Sequence, residues 1–112
     1  MAPSEHPLEI SVQDAQQLRQ NSPATVELID VREPFEREIC AVEGSRHIPM
    51  RQIPEQLADL PRDRPLLILC HHGGRSLRVT QYLRAQGFDQ ATNIVGGIEA
   101  WAQEIQPGMP RY

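Results

Sequence analysis

No run of apolar residues in this chain approaches the ~18 that a membrane-crossing helix needs, so the sequence predicts no transmembrane helix and no membrane partner. The opening stretch, MAPSEHPLEI, lacks both a basic n-region and an apolar h-region, which predicts that no signal peptide is present. Positive charge is not in excess either. With a formal net charge of −4, nothing favours nucleic acid or an anionic bilayer as the main partner. There are only two cysteines, Cys40 and Cys70, too few for a disulfide framework. In a secreted chain the two would be candidates to pair. In a cytosolic chain a cysteine embedded in a motif reads as reactive, and the cytoplasm is the expected compartment. Internal repeats, low-complexity segments and long linkers are also missing. What remains is 112 residues with 23% charged and 39% hydrophobic side chains, an ordinary balance for one globular domain. A chain of this size buries somewhat over ~60% of its unfolded surface and needs no metal or disulfide to hold a core.

The chain is organised around PLLILC at 65–70 and the HHGGRS that follows. Pro65 to Leu69 is a short continuous apolar run, the pattern of a strand covered on both faces. Cys70 ends it. Gly73 and Gly74 allow a tight turn and close approach to a ligand, and a helix is expected from Ser76. A thiol there faces backbone N–H groups and a helix N-terminus, whose partial positive charge favours thiolate over thiol. Cys70 is therefore a candidate nucleophile, and its loop a candidate anion cradle.

Other elements alternate around this stretch. A short strand at 8–10 precedes a helix capped by Ser11, with Asp14 three residues on. A second strand covers 25–31, and Pro34 can open a helical turn over 33–39. His47 and Ile48 lead into Pro49 as an extended piece. Ile53, Leu57 and Leu60 stand at i, i+4 and i+7, which predicts an amphipathic α-helix over 51–60. The helix after the loop ends at Gly87, a strand follows at 92–95, and Gly96-Gly97 turns into a last helix at 98–104 carrying Trp101. Strands alternating with helices predict an α/β fold: a central, mostly parallel sheet of about five short strands with helices on both faces. Ligands bind beyond the carboxyl ends of strands in such sheets, where Cys70 is placed. Residues 1–112 form a single domain, with 1–7 and 106–112 expected as loose ends. A monomer is expected.

Four blocks carry a family resemblance. LIDVREPFE at 28–36, EGSRHIP at 43–49, CHHGGRS at 70–76 and NIVGGIEAW at 93–101 resemble, in order, the blocks of the rhodanese-like (thiosulfate sulfurtransferase-like) domain. The chain departs from that pattern at Cys40-Ala41, where many members have Gly-His, and at His47, where they have Asn. The resemblance implies that Cys70 cycles between thiolate and persulfide with no other cofactor. It implies that the loop His71, His72, Gly73, Gly74 and Arg75 offers backbone N–H donors to an anion, and that Ser76 follows it. The implied partners are a small sulfur donor such as thiosulfate and a thiol, cyanide or protein sulfur acceptor.

Each residue also has a plainer reading. Arg75 stabilises a leaving oxyanion, or it ties the loop to a carboxylate; the family pattern favours the second role, with Glu36 as the acid. Asp30 and Arg32 end a strand near the site, Asp30 to hold loop backbone and Arg32 to line the pocket. Cys40 reads as a structural thiol and Trp101 as core packing. Gly96-Gly97 reads as a tight turn rather than a phosphate loop. His71 and His72, adjacent in a tight loop and expected to point apart, do not have metal-ligand spacing, so no metal is expected. Two other functions remain open. A cysteine phosphatase or arsenate reductase uses a strand–Cys–loop–Arg layout, but with C-x5-R; here Arg75 makes C-x4-R, a loop shorter by about 3.5 Å of chain. A non-catalytic sulfur carrier or regulatory module is the third.

Overall fold

The computed structural model describes residues 6–112. Among these described residues, five strands form one sheet, β1 (Glu9–Ile10), β2 (Glu27–Asp30), β3 (Arg46–His47), β4 (Leu66–Leu69) and β5 (Ala91–Ile94), in the order β1-β5-β4-β2-β3. Every pairing is parallel, with Leu28 opposite Leu67 and Leu67 opposite Thr92 in register. Among the described residues, four α-helices flank it, α1 (Val12–Asn21), α2 (Pro34–Ile39), α3 (Gly74–Ala85) and α4 (Gly97–Glu104). The α/β expectation holds, and the sheet is wholly parallel.

The apolar run of β4 explains its central place. All four of its residues are buried, and successive side chains enter opposite layers. Leu67 and Leu69 pack with Val12 and Ala15 of α1 and Ile98 and Trp101 of α4. Leu66, Ile68 and, next in line, Cys70 pack with Val79 and Leu83 of α3. The pleat therefore delivers Cys70 to the α3 side, over the start of that helix.

The sequence expectation at 51–60 is corrected. Met50–Asp59 is a run of 3-10 turns, not an α-helix. Pro54 lies inside it and has no N–H with which to bond back, which removes an α-type bond. Ile53 and Leu60 still reach the α3-side core, while Leu57 is only partly buried against it. Helix α1 starts as expected, with Ser11 Oγ accepting from the Asp14 N–H at 3.1 Å. Helix α2 starts with reciprocal bonds between Glu33 and Glu36.

The tail at 106–112 is also corrected. Met109 is buried in the α1–α4 core, and Tyr112 stacks on His71 with ring centroids 3.8 Å apart. Apolar burial and a paired hydroxyl supply what the tail's turn-like composition hid. At the other end, the carbonyls of His6 and Pro7 accept from Arg84, and Pro7 also from Thr92; residues 1–5 lie outside the described residues.

Candidate active site

The site lies at the carboxyl ends of β2, β4 and β5. Cys70 is 1% exposed and follows the last residue of β4. Its Sγ accepts from the Gly73 N–H at 3.1 Å and lies 3.2 Å from Ser76 Oγ. Gly73 is the N-cap of α3 and has φ +105, a left-handed conformation that only glycine takes cheaply. That conformation aims its N–H back at the sulfur. Helix α3 begins at Gly74, two residues before the expected start, so Arg75 and Ser76 belong to its first turn. A chain reversal directly after β4 and a helix N-terminus thus surround one sulfur atom with partial positive charge.

Helix α4 holds the loop from the other side. The Ile98 N–H donates to the Cys70 carbonyl at 2.8 Å, and the Glu99 N–H to the His71 carbonyl at 3.1 Å. Gly97, at φ +60, approaches so closely that a Cβ there would overlap both carbonyl oxygens. The Gly96-Gly97 turn is therefore a clamp on the cysteine loop. Its role was visible in the sequence only as a turn.

Arg75 meets Glu36. Its two terminal nitrogens donate to the two carboxylate oxygens at 2.7 and 2.8 Å. The same carboxylate accepts from the Glu33 N–H and the Tyr112 hydroxyl. The Arg75 bond, supported by the Glu33 and Tyr112 bonds, outweighs burial and lowers the Glu36 pKa to about 2. The pairing raises Arg75 above the usual arginine range. Burial pushes the Tyr112 hydroxyl up to about 12. Arg75 is thus bound to the protein rather than extended toward a ligand.

Asp30 and Arg32 form a second, wholly buried pair at 2.7 Å. Asp30 accepts from the Arg32 backbone N–H, and the Arg32 guanidinium also donates to the carbonyls of Cys40 and Glu36 and to the Tyr112 hydroxyl. Burial alone would lower the Arg32 pKa; the bonds to Asp30 and Tyr112 outweigh it and hold the group charged. The expectation that Arg32 lines the pocket is corrected: with 0% exposure it ties β2, α2 and the tail together. His47 donates from Nε2 to the Arg32 carbonyl at 2.7 Å, since a carbonyl can only accept. Cys40 is buried, its Sγ 3.9 Å from an Arg32 nitrogen.

The loop histidines do not point apart. His72, His71 and Tyr112 form one stack, with successive centroids 3.8 Å apart. Burial first, then the neighbouring His72, lowers the His71 pKa. Ligand atoms of His71, His72 and Glu99 lie within 4.8 Å of one another. Glu99 pairs with Arg111 and also lies 4.0 Å from His71 Nε2.

Asn93 heads the NIVGGIEAW block, but nothing in the sequence alone marks it as a site residue. Asn93, 1% exposed at the end of β5, donates to the Gly73 carbonyl at 3.2 Å and to Glu9 at 2.9 Å, and contacts Ser76 Oγ. A polar residue within a strand that is buried throughout would have been the clue, but burial is not written in the sequence.

A parallel sheet with a cysteine-headed loop at the carboxyl end of its middle strand defines the class, an α/β domain with its site at that edge of the sheet. Within that class the chain belongs to the rhodanese-like domain family, whose model matches residues 11–104. It is 35% identical over 92 residues to the thiosulfate sulfurtransferase GlpE of Ectopseudomonas mendocina, covering 82% of each chain. It is 40% identical over 90 residues (77% of this chain) to the rhodanese-like/PpiC domain-containing protein 12, chloroplastic, of Arabidopsis thaliana, and spans 30% of that protein's length. The crystal structure of a rhodanese-like domain protein from Staphylococcus aureus matches with a TM-score of 0.77 at 29% identity, covering 95% of this chain and 99% of that one. Among the described residues, no helix is long and apolar enough to cross a membrane.

Proposed function

We propose that the chain is a sulfurtransferase in which Cys70 carries sulfane sulfur as a persulfide, with no other cofactor. The Cys70 thiolate attacks the outer sulfur of a donor such as thiosulfate. A new S–S bond forms, the S–S bond of the donor breaks, and sulfite leaves with its electron pair. An acceptor, such as cyanide, a thiol or a protein sulfur carrier, then attacks the outer sulfur. Its bond to that sulfur forms, the S–S bond to Cys70 breaks, and the electron pair returns to Sγ. Both anionic states face the Gly73 N–H and the start of α3, preorganised donors that need no rearrangement during the reaction.

The observation that carries this reading over phosphatase chemistry is the bidentate Arg75–Glu36 pair. A phosphatase needs its loop arginine on the phosphate oxygens; here both terminal nitrogens are occupied by a carboxylate. The C-x4-R loop, one residue short, favours the same conclusion.

The test is turnover. With thiosulfate and cyanide the protein is expected to release thiocyanate and sulfite, and Cys70→Ser to release neither. With a generic aryl phosphate no turnover is expected. Phosphate release abolished by Cys70→Ser, without thiocyanate formation, would overturn the proposal.

A further inference from the structure

The Ser76 hydroxyl has one hydrogen and two claimants, Cys70 Sγ at 3.2 Å and Asn93 Oδ1. Which of them receives it follows from the partners of Asn93. The Asn93 amide nitrogen donates to two acceptors, the Gly73 carbonyl and the Glu9 carboxylate. Turning the amide over would set Oδ1 against both of those oxygens, so its orientation is fixed by the network. Oδ1 therefore faces Ser76, and Oδ1 can only accept. The Ser76 hydrogen points at Asn93, and an oxygen lone pair points at Cys70.

We propose that Asn93 is a positioning residue that holds the Ser76 hydroxyl as an acceptor toward Cys70, favouring the thiol and the persulfide over the bare thiolate. This rests on the reading of Cys70 as the nucleophile. In the thiol state the chain S–H to Oγ, Oγ–H to Oδ1 is complete. In the thiolate state Ser76 either presents a lone pair to the negative sulfur or turns its hydrogen and leaves Oδ1 buried without a donor. In the persulfide state the charge sits on the outer sulfur and Sγ is neutral, so the Ser76–Asn93 bond stays as it is. Asn93 would thus tilt the site toward its loaded form and toward keeping sulfur until an acceptor arrives.

The test is the pH midpoint of iodoacetamide alkylation, read on the Cys70 peptide so that Cys40 does not contribute. Ser76→Ala removes a single oxygen atom. The proposal expects the midpoint to fall, by roughly 0.5 pH unit or more, about a threefold change in thiolate fraction at fixed pH. A hydroxyl that donates to the thiolate predicts a rise. A rise or an unchanged midpoint overturns the proposal. The other groups around Cys70 are Arg75 on α3, Glu36 on α2, His71 and His72 in the loop, Glu99 on α4, Glu9 on β1 and Tyr112 in the tail. All are present in every variant, so the comparison is a difference. Asn93→Ala is expected to lower the midpoint when Ser76 is present and to add nothing in the Ser76→Ala background. An equal shift in both backgrounds would place the effect in loop geometry and overturn the role through Ser76. If Asn93→Ala does not fold, the sign of the Ser76→Ala shift decides alone. Alkylation reports thiol ionisation whether or not sulfur is transferred. A fallen midpoint without thiocyanate turnover therefore counts against the sulfurtransferase reading and leaves the Ser76–Asn93 effect on the thiol, and the converse result does the opposite.

Discussion

Replacing Glu36 by Gln tests the largest electrostatic investment at the site. The carboxylate is 4% exposed and takes four hydrogen bonds, two from Arg75 and one each from the Glu33 N–H and Tyr112. Every partner donates. A glutamine amide would keep one accepting oxygen and turn an NH2 toward donors. The fall of the Glu36 pKa from 4.5 to about 2 corresponds to about 3 kcal/mol at full strength. Because the Arg75 side chain is 36% exposed, water screens part of this, and about 2 kcal/mol is expected for Glu36→Gln at pH 7. For a domain of this size that lowers the unfolding midpoint by about 8 °C. The sign of the pH dependence follows from the direction of the shift. A depressed folded-state pKa gives a contribution complete above pH 4.5 that is lost as pH falls toward about 2. Denaturant unfolding of wild type and variant from pH 7 downward should show a constant gap to about pH 4.5 that closes below it. Equal stability at pH 7, or a gap that persists unchanged through acid, would refute the argument that Glu36 is held charged by Arg75.

Three further outcomes follow from the same contacts. Gly97→Ala combines a left-handed backbone angle with overlap onto the Cys70 and His71 carbonyls and should cost about 2–5 kcal/mol, measured by denaturant unfolding; a variant as stable as wild type would contradict the clamp. Tyr112→Phe keeps the stack on His71 but removes the hydroxyl bonds to Arg32 and Glu36, for an expected loss of about 1 kcal/mol in the same measurement; no loss would mean that the tail does not dock. In an NMR titration His71 should titrate below the ordinary value of 6.5, because burial and His72 oppose its charge; a midpoint at or above 6.5 would contradict that packing.

The sequence made the centre of the site legible and left its supports hidden, for physical reasons. An uninterrupted apolar run ending in Cys70 and followed by two glycines has few solutions other than a buried strand and a tight turn into a helix, so β4, the loop and α3 could be read directly. Alternation of such strands with helical segments dictated a parallel sheet. Glu36 came from matching a pattern, and the structure brings it to Arg75. At 51–60 the i, i+4, i+7 spacing describes an apolar face without saying how the backbone closes, and Pro54 settles that by withholding an N–H. At Arg32, a charged side chain after a strand can turn outward or inward, and the buried Asp30 carboxylate with the Cys40 and Glu36 carbonyls selects inward. The roles of Asn93 and Tyr112 are hidden because they depend on partners far along the chain, Glu9 and Gly73 for one and Glu36 and Arg32 for the other. Local pattern does not carry such contacts.

The central claim is that Cys70 itself carries the transferred sulfur. Mass measurement of the intact protein after incubation with thiosulfate, followed by mapping of the modified peptide, tests it most directly. The account predicts a gain of one sulfur atom on the Cys70 peptide, removed by cyanide and absent in Cys70→Ser. A gain located on Cys40, or one that persists in Cys70→Ser, would contradict it.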